Sequence, residues 1–172
     1  MATSLVVLDI DGVLADVRHR LHHLALRPKD WPAFFAAAEH DDVLEVGAQF
    51  ARQAASTHDI VYLTGRPERL RAATQTWLES HRLPAGTLVM RPEGDRRPSS
   101  VVKLRELRRL RRAAVIDLLV DDDPAVVEAA RAAGFTVQLA DWMPTPSRVP
   151  SDDGALFGVD VLRDAQQREG RT

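Results

Sequence analysis

The sequence has no cysteine among its 172 residues, which excludes disulfide bonds, thiol catalysis and zinc sites ligated by cysteine. It has no run of about 18 apolar residues, so no segment is expected to span a membrane. Lysine and arginine number 23 against 25 acidic residues, and the net charge of −2 gives no basic field typical of nucleic-acid binding. The N-terminal segment lacks the basic start of a secretory signal, so a cytoplasmic location is expected.

The residues that are present show two alternating patterns. Short apolar runs, typical of buried parallel strands, lie at residues 4–8, 60–63, 87–90, 115–120 and 136–139. Helical patterns lie at residues 68–81, 101–110 and 124–133. Strands that alternate with helices predict an α/β fold, a Rossmann-like three-layer sandwich with a central parallel sheet. Such sheets bind ligands beyond the carboxyl ends of their strands, so we expect the chemistry there.

The length and the single series of strands predict one domain. Residues 1–142 hold every strand pattern. Residues 16–43 interrupt the series with two short helical patterns, at 17–24 and 31–39, so a small helical cap is expected over the site. Residues 143–172 begin with a segment rich in proline and serine, which predicts an irregular tail with one short helix at 156–167.

The first strand ends in an Asp-x-Asp-Gly motif. Strand alternation points Asp9 and Asp11 in the same direction, and Gly12 allows a sharp turn. Two carboxylates this close cannot both ionise easily without a cation, and a hard divalent ion with oxygen ligands resolves the conflict. One carboxylate can then attack phosphorus while the other, kept protonated, donates to the leaving oxygen. The alternative interpretation is a solvated acidic turn.

The second strand ends in Thr64-Gly65-Arg66-Pro67. Thr64 offers a hydroxyl, Gly65 allows close backbone approach, and Arg66 supplies a guanidinium fork suited to phosphate. Pro67 is expected to open a helix whose N-terminus favours anions. The alternative interpretation is an ordinary helix cap.

The strand at residues 115–120 is followed by three consecutive acids, Asp121, Asp122 and Asp123. An acid at a helix start can act as a cap, which is the alternative role for Asp123. Asp121 and Asp122 are predicted metal ligands, because adjacent acids are unfavourable without a cation. Lys103 stands in a chain whose basic residues are otherwise arginine, except for Lys29, and is predicted to place a compact positive charge near the site.

This order of motifs resembles the haloacid dehalogenase superfamily of phosphotransferases, whose pattern runs DxDG, a strand ending in Thr or Ser, Lys, and paired aspartates. The resemblance covers roughly residues 5–142 and implies a haloacid-dehalogenase-like phosphatase domain. Within the superfamily the sequence is similar to the 3′-phosphatase domain of polynucleotide kinase/phosphatase. The segments that carry this similarity are Leu88-Val89-Met90-Arg91, Gly94-Asp95-Arg96-Arg97 and Val101-Val102-Lys103.

The resemblance implies a Mg²⁺-dependent phosphomonoesterase that works through an aspartyl-phosphate. Mg²⁺ would lie on Asp9, Asp122 and the backbone carbonyl of Asp11, with Asp121 as a ligand or a neighbour of the ligands. Asp9 would attack phosphorus, and Asp11 would protonate the leaving alcohol and later deprotonate water. The residues that would bind the phosphate group are Thr64, Gly65, Arg66, Lys103, Arg20 and Arg97.

The sequence departs from its relatives just before the Lys103 helix. Relatives often have an acid there that steadies the lysine, whereas this chain has Ser99 and Ser100. We therefore expect Lys103 to be held in another way, or the rate to be lower. The sequence has no GxxxxGK phosphate loop, so no kinase activity is expected of it.

The motifs allow more than one class of substrate. A small cap suits a bulky substrate such as a nucleic-acid 3′-phosphate end, but nucleotides and sugar phosphates fit an open site too. A row of arginines at residues 105–112 can hold a polyanion, although a solvated face is the favoured interpretation because no aromatic residues interleave it. A non-catalytic binding protein would need a missing catalytic group, and none is missing. The sequence gives no oligomeric state.

Overall fold

The computed structural model describes residues 4–25, 27–143 and 160–168. Its strands, in chain order, are β1 (Ser4–Leu8), β2 (Ala15–Asp16), β3 (Asp42–Val43), β4 (Asp59–Pro67), β5 (Gly86–Arg91), β6 (Val115–Asp121) and β7 (Val137–Leu139). Five of them form one parallel sheet in the order β5-β4-β1-β6-β7, and β2 pairs with β3 in a separate antiparallel ribbon. All five predicted strands are present, and the predicted central parallel sheet is confirmed.

Helices cover both faces of the sheet. The described helices are α1 (His22–Ala25), α2 (Trp31–Ala36), α3 (Glu45–Ala54), α4 (Arg71–Ser80), α5 (Ser99–Leu110), α6 (Pro124–Ala132) and α7 (Asp160–Arg168). Those on the sheet are α3 and α4 on one face and α5 and α6 on the other. Alternate residues of β1 face opposite layers, since Val6 and Leu8 pack with α3 and α4 while Leu5 and Val7 pack with α5 and α6. The predicted three-layer α/β sandwich is therefore confirmed.

The segment after β4 differs from the prediction. Pro67 is the last residue of β4, with extended backbone angles of −70° and 153°, and it is the N-cap of a 3₁₀ helix and not of an α-helix. A 3₁₀ turn, Glu68–Leu70, follows before α4 begins. The motif Thr64-Gly65-Arg66 thus lies on extended backbone, where the pairing of β4 with β5 shifts register between Leu63 and Pro67.

Residues 16–43 contain two short helical segments, as predicted. Each segment consists of a 3₁₀ turn and an α-helix instead of one continuous helix. A 3₁₀ turn (Arg18–Arg20) precedes α1, and another (Ala37–His40) follows α2. Pro28 disfavours helix at the residue before it, which keeps α1 short. Asp30 caps α2, because its Oδ1 accepts the backbone N–H of Ala33 at 2.9 Å. The aromatic side chains of α2, with Val17, Leu21 and Leu24, form the core of this cap.

The C-terminal helix α7 packs on the cap core. Leu162 and Ala165 are buried there beside Leu24 and Phe34. The predicted helix at 156–167 overlaps α7, but residues 156–159 of that prediction lie outside the described residues, as do residues 144–153 of the irregular segment predicted at 143–153. None of the described helices is long and apolar enough to cross a membrane.

Candidate active site

The loop after β1 lies directly against the loop after β6. The backbone N–H of Asp9 donates to the carbonyl of Val120 at 3.0 Å, which extends the strand pairing past Leu8. Gly12 has a φ of +80°, and a Cβ on it would lie 2.3 Å from Oδ2 of Asp122. A side chain at residue 12 would push the two loops apart, which explains the glycine of the first motif.

Three acids from these two loops form one cluster. Asp9, Asp121 and Asp122 each present a carboxylate oxygen within 4.8 Å of the others, and all three side chains are buried. Burial, reinforced by Asp121 and opposed by Lys103, raises the pKa of Asp9 to about 7. Burial and the charges of Asp121 and Asp9 raise the pKa of Asp122 well above its usual value. The cluster therefore holds more negative charge than its neighbouring cations compensate.

Lys103 enters this cluster from α5. Its Nζ donates to Oδ2 of Asp9 at 2.5 Å and to Oδ2 of Asp121 at 2.7 Å. Burial would lower the pKa of Lys103, but Asp121 and Asp9 outweigh it and raise that pKa. Asp9 and Asp121 therefore position Lys103 directly. The acidic residue that relatives often have just before this helix is not needed for that. Ser99 is buried, and its hydroxyl has no hydrogen-bond partner among the described residues.

Asp11 lies in a second charged group beside the first. Its Oδ1 accepts from Nη2 of Arg20 at 2.8 Å and from Nη2 and Nε of Arg66 at 2.6 and 2.9 Å. Burial would raise the pKa of Asp11, but Arg20 and Arg66 outweigh it and hold the pKa at about 2. In this arrangement Asp11 is a carboxylate, which can accept a proton but has none to donate.

Asp41, a cap residue that the sequence motifs do not mark, completes the second group. It binds Nε and Nη2 of Arg20, each at 2.7 Å, and Nη2 of Arg66 at 2.7 Å. Its backbone carbonyl accepts from Nε1 of Trp77 at 2.8 Å, so the residue that precedes β3 is also fixed to α4. Two buried arginines next to one Asp11 need a second anion, and this charge count is the signal that could have revealed Asp41.

Thr64 and Gly65 lie on the extended end of β4 beside these groups. The buried Thr64 hydroxyl accepts the backbone N–H of Arg66 at 3.1 Å. The carbonyl of Gly65 accepts from Nε of Arg91 at 3.3 Å, and Arg91 also donates to the carbonyl of Arg97 at 2.8 Å. Arg91, buried at the end of β5, therefore ties the phosphate-binding candidates to the following loop.

Arg97 lies in that loop but is directed elsewhere. Its guanidinium binds the carboxylate of Asp95 at 3.0 and 2.5 Å, and these hydrogen bonds hold the pKa of Asp95 at about 2. Its side chain is 45% exposed. Within the described residues, the hydrogen bonds of the Arg97 side chain go to Asp95 and not to the acidic cluster. The structure thus brings together all the predicted site residues except Arg97.

The sequence pattern of a known family matches this chain across the same elements. The model of the polynucleotide kinase PNKP phosphatase domain matches residues 3–141, which include the acidic cluster, the arginines and Lys103. The chain belongs to this family. This is a phosphatase-domain family of the haloacid dehalogenase superfamily, as the resemblance predicted. No protein with a curated description matches it.

Solved structures share the fold of this phosphatase domain. A chain of the Pnkp1/Rnl/Hen1 complex is 22% identical over 80% of this chain, with a TM-score of 0.68, and this chain spans 46% of that one. A class C acid phosphatase from Bacillus anthracis, with tungstate bound, is 17% identical over 84% of this chain and 69% of its own, at a TM-score of 0.61. The HAD-hydrolase YfnB from Bacillus subtilis, bound to magnesium, is 8% identical over 80% of this chain and 88% of its own, with a TM-score of 0.54.

The acidic cluster has the chemistry of a Mg²⁺ site. Its donors are three buried carboxylates, the hard oxygen ligands that this ion prefers. Lys103 offsets part of their charge, and the raised pKa values of Asp9 and Asp122 show that more positive charge is needed for both to ionise. The residues present therefore fit the ion.

The metal-free protein should lose stability as the pH rises through 7. In the unfolded chain the pKa of Asp9 is that of a free aspartate, 3.8, whereas in the folded protein it is about 7. Between these values the folded protein holds a proton that the unfolded chain has released, and this stabilisation disappears above pH 7. We expect the melting temperature in EDTA to fall by at least about 3 °C between pH 5.5 and 8.

Mg²⁺ should reverse this loss, because it binds the ionised carboxylates in place of protons. The rise in melting temperature on adding Mg²⁺ should be larger at pH 8 than at pH 5.5. The Asp9→Asn protein is the control, since its stability in EDTA should depend less on pH. A wild-type protein that becomes more stable in EDTA as the pH rises would contradict the assignment.

Proposed function

We propose that the protein is a Mg²⁺-dependent phosphomonoesterase that uses Asp9 as its nucleophile and acts on the 3′-phosphate ends of nucleic acids. One observation carries this proposal. Asp9 presents a carboxylate to the same small space as Asp121, Asp122 and Lys103, at the carboxyl edge of the sheet. Phosphoryl transfer needs positioning and charge stabilisation above all, and this arrangement supplies both.

The cluster would hold Mg²⁺ through Asp9, Asp121 and Asp122, with the backbone carbonyl of Asp11 as a further ligand. When bound, the ion would withdraw negative charge from the phosphate oxygens and keep Asp9 ionised. Lys103 would bind another phosphate oxygen, since its Nζ already lies 2.5 Å from the attacking carboxylate. These cations let an anionic nucleophile approach an anionic phosphate.

The reaction would take place in two displacements. An Oδ of Asp9 forms a bond to phosphorus while the bond from phosphorus to the ester oxygen breaks, and that oxygen takes a proton from Asp11. A water molecule then gives its proton to Asp11 and attacks phosphorus. The bond from phosphorus to Asp9 breaks, which releases inorganic phosphate and restores both aspartates.

Substrate binding would supply the proton-donating form of Asp11. Arg20 and Arg66 hold its pKa at about 2, so they must move for it to act as an acid. A phosphate group binds guanidinium in the same bidentate manner as a carboxylate and competes for both arginines. As they turn to phosphate, Asp11 loses the stabilisation of its charged form and its pKa rises. Protonation of Asp11 would thus be linked to an occupied site.

The family match and the Pnkp1-containing complex favour a nucleic-acid end as the substrate. The arginine row of α5 does not add to this argument. Lys103 reaches the site from the second turn of α5, and each later residue lies about 1.5 Å further along the helix axis. Arg105 and Arg109 are more than half exposed, and Arg109 binds Glu106 at 2.7 Å. This row is therefore a solvated face.

A comparison of phosphate esters tests the proposal. We expect the purified protein with Mg²⁺ to release phosphate from a 3′-phosphorylated oligonucleotide with a kcat/KM at least about tenfold above that for the matched 5′-phosphorylated one, because its site would recognise the 3′ end. The KM for the oligonucleotide should rise steeply with salt. Faster turnover of mononucleotides or sugar phosphates would identify a small-molecule phosphatase instead. Failure to release phosphate from any ester would end the proposal.

A further inference from the structure

The C-terminal helix α7 is fixed against the catalytic residues by polar contacts as well as by the cap core. Gln167 donates through Nε2 to Oδ2 of Asp123 at 2.6 Å, and its Oε1 accepts from the hydroxyl of Ser100 at 3.1 Å. Ser100 lies in the first turn of α5, which carries Lys103, and Asp123 caps α6 just after Asp122. One amide therefore joins the two helix starts that border the acidic cluster.

Arg163, one helical turn before Gln167, faces the cluster. Its Nη2 lies 3.6 Å from Oδ2 of Asp122, the acid whose loop packs against Gly12. The separation is that of a loose ion pair, longer than the hydrogen bonds that hold the other cations of the site. The side chain is also 25% exposed, so the guanidinium can reach both the acids and the solvent in front of them.

The other cations of the site are more deeply buried than Arg163. The side chains of Arg20, Arg66 and Lys103 are at most 3% exposed, and each binds two carboxylates at hydrogen-bond distance. A phosphate group that arrives from solvent must displace strong buried ion pairs to reach them. The Arg163 side chain is 25% exposed beside Asp122, so a phosphate group can reach it from solvent.

We propose that Arg163 is a substrate-binding residue, supplied by the C-terminal helix, whose guanidinium moves from Asp122 to the phosphate group of the substrate. A metal ion bound to Asp122 would neutralise its charge and weaken the electrostatic attraction between Asp122 and Arg163. A phosphate dianion beside it would then bind the guanidinium through two charged hydrogen bonds. The proposal rests on the proposed phosphatase function, and it makes α7 part of the active site.

Titration of inorganic phosphate into the protein with saturating Mg²⁺, followed by calorimetry, tests this role without turnover. We expect Arg163→Gln to weaken phosphate binding about tenfold and Arg163→Lys to have a smaller effect, because lysine keeps the charge without the fork. The KM for p-nitrophenyl phosphate should rise in the same order, while kcat changes by less than about threefold. Arg105→Gln, which removes an exposed arginine of α5, should match the wild type.

Two results would overturn the assignment of Arg163. The first is a phosphate dissociation constant of Arg163→Gln within about twofold of the wild-type value, because loss of a charged hydrogen bond should weaken binding by more than that. The second is an equal loss in Arg105→Gln, which would reveal a general effect of net charge. Melting temperatures separate binding from folding, and Arg163→Lys covers the case of an unstable glutamine variant. A wild type that binds phosphate through Arg163 but hydrolyses no ester would contradict the proposed function and leave this assignment standing.

Discussion

Asp9→Asn should lower the kcat for p-nitrophenyl phosphate by at least about a thousandfold with Mg²⁺ present, because the attacking oxygen loses its charge and no other group takes over the covalent step. The amide is also a poorer metal ligand than the carboxylate it replaces. Steady-state release of p-nitrophenol at saturating substrate measures the loss. Activity of Asp9→Asn at the wild-type rate would show that Asp9 is not the nucleophile.

The Asp9→Asn protein should nevertheless fold. The carboxylate Oδ1 that accepts the backbone N–H of Ile10 at 2.7 Å has a direct counterpart in the asparagine Oδ1. Lys103 keeps its hydrogen bond to Asp121 at 2.7 Å, so no buried ammonium is left unpaired. Asp117→Asn is a matched control on the same strand as Asp121, since Asp117 is partly exposed and binds only the surface His58 in the described contacts. It should keep full activity.

Sequence reasoning predicted the acidic cluster because the fold does most of the positioning. Parallel strands that end in polar residues bring those residues to one edge of the sheet, whatever their separation in the chain. Asp9 and Asp122 are 113 positions apart in the numbering, yet the adjacency of β1 and β6 places them in one cluster. A lysine two residues after the helix pattern begins was also predictable, since one turn of α5 directs it to the same edge.

The cap was less predictable, since its residues reach the site through tertiary packing and not through strand order. Asp41 follows a short 3₁₀ turn and stands next to an exposed acid, Asp42, so the sequence shows only two adjacent aspartates. Nothing local distinguishes the buried one from the exposed one. The position of Arg163 was harder still to predict, because the placement of α7 beside the site depends on how Leu162 and Ala165 pack against the cap.

The state of Asp11 also depends on these distant residues. The sequence predicts a protonated Asp11, on the basis of its closeness to Asp9. The structure instead gives it two arginine partners, one from the cap and one from β4, and these hold it ionised. A pKa depends on the surrounding charges in three dimensions, so the sequence motif could name this residue as the acid or base but could not give its resting charge.

Asp41→Asn should destabilise the protein by about 3–5 kcal/mol, the usual result of removing one partner from a buried ion pair. Asp41 and Asp11 are the carboxylates that compensate Arg20 and Arg66, and the side chains of Asp41 and Arg20 have no exposed surface. Asparagine keeps the shape but presents an amide NH₂ group toward guanidinium donors, so one hydrogen bond becomes a repulsive contact. Urea unfolding of both proteins in the same buffer measures the difference.

The neighbouring residue provides the control, because Asp42→Asn makes the identical chemical change one position along the chain. Asp42 is exposed, so its loss should change stability by no more than about 0.5 kcal/mol. Equal stability of the two variants would mean that the buried arginines need only Asp11 as their counter-ion. A large difference would establish that the cap is held onto the catalytic domain by the same arginines that the substrate must attract, so that cap attachment and phosphate binding draw on one shared set of charges.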